Sequence, residues 1–290
     1  MHHPPNPLPV NPDVESLWYE AIWATIKGVR LETFATFLQH RRPSEASALI
    51  PEELLTDIKL HIAKERSKSY HILLRGQEQY PASLDILDLP VVYYRGNVSL
   101  LQTPCVAIVG SRKASPRGLA AARRIAQSLT ADGYTIVSGL AAGIDTAAHK
   151  EALRTGHQTI AVIGTPINKA YPRENTTLQE QIAVTNLLLS HVPFYKYAHQ
   201  DYKQNSRFFP ERNKVMAALS AATIIAEASD TSGSLIQARE ALRLKKKVIL
   251  LKPTYDNPNL SWPKTYVQQR GAFVADTMTT LKQIIGEAHV

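Results

Sequence analysis

Several short strings in this chain put glycines, hydroxyls and fixed cations where an apolar strand turns into a helix, a pattern suited to holding an anion. The apolar run Cys105–Val109 leads into Gly110-Ser111-Arg112-Lys113. A glycine there lets backbone approach an anion, and the amides opening the next helix can donate to phosphate. Arg112 then adds a bidentate charged contact. The same string also reads as a plain strand-to-helix turn. A second strand ends in Ser138-Gly139-Leu140-Ala141-Ala142-Gly143-Ile144-Asp145. Asp145 is placed to cap the following helix and falls one helical turn before His149, which is also a metal-ligand spacing. With no third ligand nearby, a cap and a packed histidine are the better reading. After the third strand come Gly164-Thr165-Pro166 and then Tyr171-Pro172-Arg173-Glu174-Asn175, a loop from which Arg173 can reach phosphate or pair with Glu174. A fifth strand opens into Ser229-Asp230-Thr231-Ser232-Gly233-Ser234, hydroxyl-rich at a helix start. That is either an anion nest or an ordinary N-cap by Ser232 or Ser234.

Residues 194–215 differ in composition from the rest. They hold six aromatics (Phe194, Tyr195, Tyr197, Tyr202, Phe208, Phe209) among five cations (Lys196, Lys203, Arg207, Arg212, Lys214) and two acids. Interleaved rings and cations suit an unpaired nucleic-acid strand, whose bases stack while its phosphates need charge. A loop pinned by its own aromatics and a protein interface are the competing readings.

These strings need a scaffold. Strands are expected at Cys105–Val109, Tyr134–Ser138, Thr159–Ile163, Leu187–Ser190, Thr223–Glu227 and Lys247–Leu251, with helices such as Leu119–Asp132 and Ser234–Leu244 between them. Short continuous apolar strands alternating with helices predict a doubly wound α/β domain around a parallel sheet. Ligands in such sheets bind beyond the carboxyl ends of the strands, where the unusual residues fall. Ahead of this domain lie short strands at Tyr70–Leu74 and Val91–Arg95. A helical pattern runs from Glu15 to about Lys68, broken near Gly28 and Arg42-Pro43, and residues 1–13 read as a loose Pro-rich arm. The expected division is a small N-terminal helical subdomain at 1–68 and the α/β domain at 69–290. Lys245-Lys246-Lys247 reads as a solvated helix end.

Bulk composition narrows the partners. Lys and Arg outnumber Asp and Glu by 33 to 25, a net charge of +8 that favours polyanions. Cys105 is the only cysteine, which excludes a disulfide framework or a thiolate metal cluster within the chain. No apolar stretch approaches the ~18 residues of a membrane span, and the start has no basic, apolar leader. The expectation is a reducing cytoplasm, no membrane, no metal and no cofactor.

Taken together, VAIVGSRKASPRG (106–118), SGLAAGIDTAAHKEAL (138–153), YPRENTTL (171–178), FPERNKVMAALS (209–220) and EASDTSGSLIQAREAL (227–242) resemble the DprA/Smf DNA-processing family, in the family's order. YPASLDILDLPVVYYRGNVSLL (80–101) is similar to that family's entry segment, so the resemblance covers roughly residues 70–285. It implies an extended Rossmann-like fold, a non-catalytic single-stranded DNA-binding protein acting in DNA processing or recombination, a homodimer, and contact with the RecA recombinase. It also implies that Arg112, Arg173, Arg212 and Lys214 touch the DNA backbone. With the loop residues beside them, the candidate contacts are Gly110, Ser111, Arg112 and Lys113, then Ser138, Gly139, Arg173 and Asn175. Arg207, Arg212, Asn213, Lys214, Ser232, Gly233 and Ser234 complete the set.

The chain departs from the family's pattern in places. Its hairpin in the helical start is reduced to Gly28-Val29-Arg30, Ala142 stands where arginine is frequent, and the C-terminal winged helix of many members is absent. Members of that shorter kind also occur as partners of toxin-like proteins in phage-defence modules, which makes the aromatic stretch a candidate partner surface. A wider relation is to the LOG phosphoribohydrolases. There a glutamate follows the glycine-threonine turn, whereas Gly233-Ser234-Leu235-Ile236-Gln237 carries no carboxylate. Hydrolysis would need Glu227 or Asp230 to substitute, so a catalytic role is disfavoured.

Overall fold

The computed structural model describes residues 11–65 and 69–287; the Pro-rich residues 1–10 and the expected subdomain boundary at 68/69 fall wholly or partly outside them. Among the described residues, nine strands form one sheet: β1 His71–Leu74, β2 Val91–Gly96, β3 Cys105–Gly110, β4 Thr135–Ser138, β5 Thr159–Ile163, β6 Leu187–Ser190, β7 Ala222–Glu227, β8 Lys247–Leu251 and β9 Phe273–Ala275. The spatial order is β1-β2-β6-β5-β4-β3-β7-β8-β9. β6 through β9 run parallel, while β2 pairs antiparallel with both β1 and β6. The strand order therefore reverses between β3 and β7, the switch point at which open α/β sheets leave a crevice.

Among the described residues thirteen α-helices accompany the strands. Three come first: α1 Pro12–Thr25, α2 Leu31–Leu38 and α3 Glu52–Glu65. Four follow: α4 Pro116–Ala131, α5 Ile144–Arg154, α6 Thr176–Thr185 and α7 Phe194–Ala198. Next are α8 Tyr202–Asn205, α9 Phe208–Leu219 and α10 Ser234–Arg243. The last are α11 Lys252–Tyr255, α12 Trp262–Arg270 and α13 Met278–Gly286. Successive side chains of a strand face opposite ways, and β3 shows the result. Val106 and Ile108 pack toward α4, α5 and α13, whereas Ala107 and Val109 join the core beneath α9 and α10. Both faces are covered, which is why the strands read as unbroken apolar runs.

The N-terminal helices share the second of these cores. Tyr19, Ile22 and Trp23 of α1 and Phe34 of α2 are buried with Tyr93 of β2 and Phe208 of α9. Polar ties reinforce the packing. The buried Glu20 carboxylate accepts from the Tyr93 hydroxyl at 2.7 Å and from the Phe194 and Tyr195 amides at 2.9 Å each. Burial raises its pKa to about 7. Lys196 answers in the other direction, donating to the carbonyls of Trp23 and Ile26 at the end of α1.

Several expectations need correction. The arm read over 1–13 gives way to helix at Pro12, because Asn11 caps α1 by accepting from the Asp13 amide and proline suits the first turn. Residues 194–209 form α7, α8 and the start of α9; Asp201 and Gln204 make a capping box that starts α8. Lys247 is not solvated. It opens β8, and its buried ammonium donates to the Ile284 and Glu287 carbonyls that end α13.

Candidate nucleic-acid interface

A cleft of about 550 Å³ opens at the switch point, over the carboxyl ends of β3 and β7. The β3–α4 loop supplies Gly110, Ser111, Arg112 and Lys113 to one wall, and the β7–α10 loop supplies Ser232, Gly233 and Ser234 to another. α9 closes the back with Phe209, Arg212 and Asn213. Gly110 is required by crowding: a Cβ there would meet Ile144 and the Glu227 carbonyl. Neither Ser232 nor Ser234 caps α10; their hydroxyls bond each other at 2.7 Å, and the helix begins without a side-chain cap. Its opening therefore presents partial positive charge to the cleft.

Arg212 is the innermost cation. Its guanidinium is buried, donating to the carbonyls of Gly139 at 2.5 Å and Val162 at 2.8 Å, and to the Asn213 side chain at 3.0 Å. Burial lowers its pKa to about 10; the Asp145 carboxylate opposes that shift and Arg112 adds to it. Arg112 and Arg212 thus face a common space and repel, and an anion between them would relieve both. Gly139 lines a smaller recess beside this one, with Arg112 and Tyr171. Asp145 does not cap α5. Its buried carboxylate accepts from the Gly139 amide at 3.0 Å, and burial raises its pKa. His149 is a packed histidine whose Nδ1 lies 2.7 Å from the Thr159 hydroxyl, and among the described residues no cluster of metal-ligating side chains occurs.

Other expected contacts are spent inside the protein or lie elsewhere. Ser138 donates its buried hydroxyl to the Ile108 carbonyl, and Asn175 ties the Leu140 carbonyl to the Thr146 hydroxyl. Lys214 is a correction of position. It points away from the cleft and is held by Glu32 and Glu211 at 2.8 Å each. Arg207 is exposed but faces a separate basic recess with Lys27 and His199. Arg173 is exposed and does not line the cleft.

The aromatic stretch divides. Phe194 and Phe208 are core residues, Tyr195 donates to Asp57, and Tyr197 packs near Phe208. Only Tyr202, 71% exposed, and Phe209 reach the cleft, where Tyr171 joins them. The Tyr171 ring centroid lies 5.2 Å from that of Phe209, and the nearby Tyr202 hydroxyl raises the Tyr171 pKa. Tyr171 was not among the candidates from sequence; its place after the third strand, at the carboxyl edge, was the available signal. Of the six rings, two are buried, three are half-buried and one is exposed, so the stretch is not one continuous aromatic surface.

The carboxylates that hydrolysis would need in place of a catalytic glutamate are engaged. Glu227 accepts from the Ser115 amide and hydroxyl at the start of α4, and Asp230 holds Ser261 and Trp262 at the start of α12. Gln237 is buried, with its amide able to donate to the Asn213 carbonyl and accept from the Ala217 amide.

A doubly wound, Rossmann-like protein with a cation-lined crevice at its switch point is the class that this fold and cleft define. Residues 71–287 match the family described as DNA recombination-mediator protein A, and the chain belongs to that family. DNA processing protein DprA of Streptococcus pneumoniae is 42% identical over 195 residues, 66% of each chain. Protein Smf of Synechocystis is 42% identical over 196 residues, which cover 66% of this chain and 48% of that protein. The aligned segment thus spans two thirds or less of these relatives' length. The X-ray structure of the Streptococcus pneumoniae protein superposes with a TM-score of 0.73 at 28% identity, covering 94% of this chain and 97% of that one. DNA processing protein A from Helicobacter pylori, whose structure concerns its single-stranded DNA binding mode, gives 0.63 at 30% identity, covering 75% and 95%. Among the described residues no helix is long and apolar enough to cross a membrane.

Proposed function

We propose that this chain binds single-stranded DNA in the switch-point cleft, as a non-catalytic member of its family acting in DNA processing. One observation carries the reading: the exposed cations Arg112 and Lys113 line the same cleft as the uncapped start of α10, with the buried Arg212 at its back. Phosphates suit these groups, and the Tyr171, Tyr202 and Phe209 rings beside them suit unpaired bases. That the Helicobacter pylori relative binds single-stranded DNA supports the choice of ligand. Gly110, Ser111, Asn213, Ser232, Gly233 and Ser234 shape the cleft or offer polar groups to it, Gly139 shapes the recess beside it, and Arg173 guides the strand toward it. A reducing cytoplasm, a homodimer and contact with RecA complete the reading through family membership.

The test is a salt-titrated comparison of single strand, duplex and mononucleotide by fluorescence anisotropy, with light scattering for the oligomer. Single strand should bind more tightly than duplex, with a log–log salt slope of about −0.7 per neutralised phosphate. Equal affinity for duplex, or no binding at ~50 mM salt, would sink the proposal.

A further inference from the structure

The cleft is not the largest cavity on the carboxyl edge of the sheet. A second, of about 880 Å³, lies on the other side of β3 and β7, beneath α4 and α13. Ser111, Lys113 and Ser229 line both cavities, so only the β3–α4 and β7–α10 loops separate them. The second cavity has a distinct chemistry. Ile125, Ala226, Leu251, Met278 and Leu281 give it an apolar floor. Lys113, Arg117 and Arg124 line one wall, all exposed and in no ion pair among the described residues.

Two carboxylates, Glu227 and Asp276, also line this space. Glu227 is committed to Ser115, where the missing side chain of Gly118 leaves it room at the start of α4. Asp276 accepts from the Thr280 hydroxyl in the first turn of α13. Both are thus partly satisfied at helix starts, where negative charge is favoured. Three free cations, Lys113 on the β3–α4 loop and Arg117 and Arg124 on α4, outweigh them. An apolar floor beside a cationic wall fits a flat heterocycle that carries a phosphate, with the carboxylates facing exocyclic amino groups or a sugar hydroxyl.

We infer that this second cavity is a nucleotide subsite, taking a base on its floor and a phosphate at Arg117 and Arg124. The inference rests on the proposed function for one of its two sources: a strand leaving the cleft across Lys113 enters this cavity next. The other source is a free nucleotide, which has the same chemistry. The sequence showed no sign of it: Arg124 falls within the helix expected at Leu119–Asp132, Arg117 lies just ahead of it, and only the fold turns both toward the cavity.

Two variants of the full chain test it. Ala121→Trp fills the cavity from α4 without altering charge, and Arg117→Ala/Arg124→Ala removes the phosphate wall at exposed positions that leave the core untouched. Oligothymidylates of increasing length and adenosine monophosphate are the probes, titrated against salt. On long oligomers both variants should lose about tenfold in affinity or more, while the shortest oligomer that fills the cleft binds as to wild type. The double variant should also flatten the salt slope on long oligomers by about 1.4. Binding of adenosine monophosphate that Ala121→Trp abolishes would support the subsite with a free nucleotide as its source. If wild type binds long strands and both variants match it at every length, with adenosine monophosphate unbound, the subsite is wrong and the cleft stands. If Arg112→Ala also leaves affinity unchanged, the cleft assignment is what fails. Should Ala121→Trp not fold, the double variant decides alone.

Discussion

The Arg212 guanidinium occupies the space where a side chain on Gly139 would stand, donating to that residue's carbonyl at 2.5 Å. A cation from α9 is thereby locked onto the loop after β4, and the cleft's back wall becomes part of the core. Arg212→Ala should therefore act on stability as well as on binding. It strands the Gly139 and Val162 carbonyls and leaves the buried Asp145 carboxylate without its opposing charge. Removing one partner of a buried charged network costs about 3–5 kcal/mol, which chemical denaturation would register. A native unfolding midpoint in this variant would show that Arg212 is only a surface contact.

Arg112→Ala should behave oppositely. The side chain is exposed at the mouth of the cleft, so the melting temperature should hold. Single-stranded DNA affinity should drop by about 1.5–3 kcal/mol, the worth of a charge-assisted hydrogen bond. Unchanged affinity would move the phosphate site away from the β3–α4 loop.

The rings should sort by burial. Tyr202→Ala should cost about 1–3 kcal/mol of binding for a lost base stack, with the salt slope unaltered because stacking carries no charge. Phe208→Ala should cost about 3–5 kcal/mol of stability, since its ring is fully buried against Trp23 and Tyr197. Loss of binding in a stable Phe208→Ala variant, or loss of stability in Tyr202→Ala, would reverse these assignments.

Stability should fall in acid. His149 and His191 are buried, and desolvation lowers both to about 3 from an ordinary value near 6.5. The folded state then binds fewer protons than the unfolded chain between these values. Their contribution is complete above about pH 6.5 and is lost as pH falls toward 3. Glu20 runs the other way, because its raised pKa of about 7 makes the fold lose stability as pH rises from about 4.5 to 7. Burial also raises Asp145 and Glu211, which act in the same sense as Glu20. The large shifts of the two histidines outweigh them, so the denaturant midpoint should drop between pH 6.5 and 4.5. Glu20→Gln should steepen that drop. A midpoint that rises on acidification would contradict the burial of the two rings.

Much of the fold was legible because its signals are local. The runs at Thr159–Ile163, Leu187–Ser190 and Lys247–Leu251 form strands with those same ends, since uninterrupted apolar residues bounded by turns leave little choice in a sheet covered on both faces. β9, three residues of mixed exposure, carried too little pattern to be found. The cleft was legible as a set of loops: Gly110 through Lys113 and Ser232 through Ser234 do meet at the switch point. Which side chains turn toward it was not.

That second question depends on partners far apart in the chain. Lys214 reads like any cation in a basic aromatic stretch, yet it meets Glu32, 182 positions earlier, and is lost to the cleft. Phe194 and Phe208 look like stacking platforms until α1 and α2 bring Trp23 and Phe34 to a shared core. Lys247 reads as a solvated helix end until α13 offers it carbonyls. The main strands and helices, the excess of positive charge and the glycine loops at the carboxyl edge can be read along the chain, because periodicity and turn chemistry act over a few residues. Which cations stay free, and that a second cavity opens beside the first, follow from the packed fold alone. Desolvation and ion pairing are set by whatever the fold brings within a few ångströms, whatever its distance along the chain.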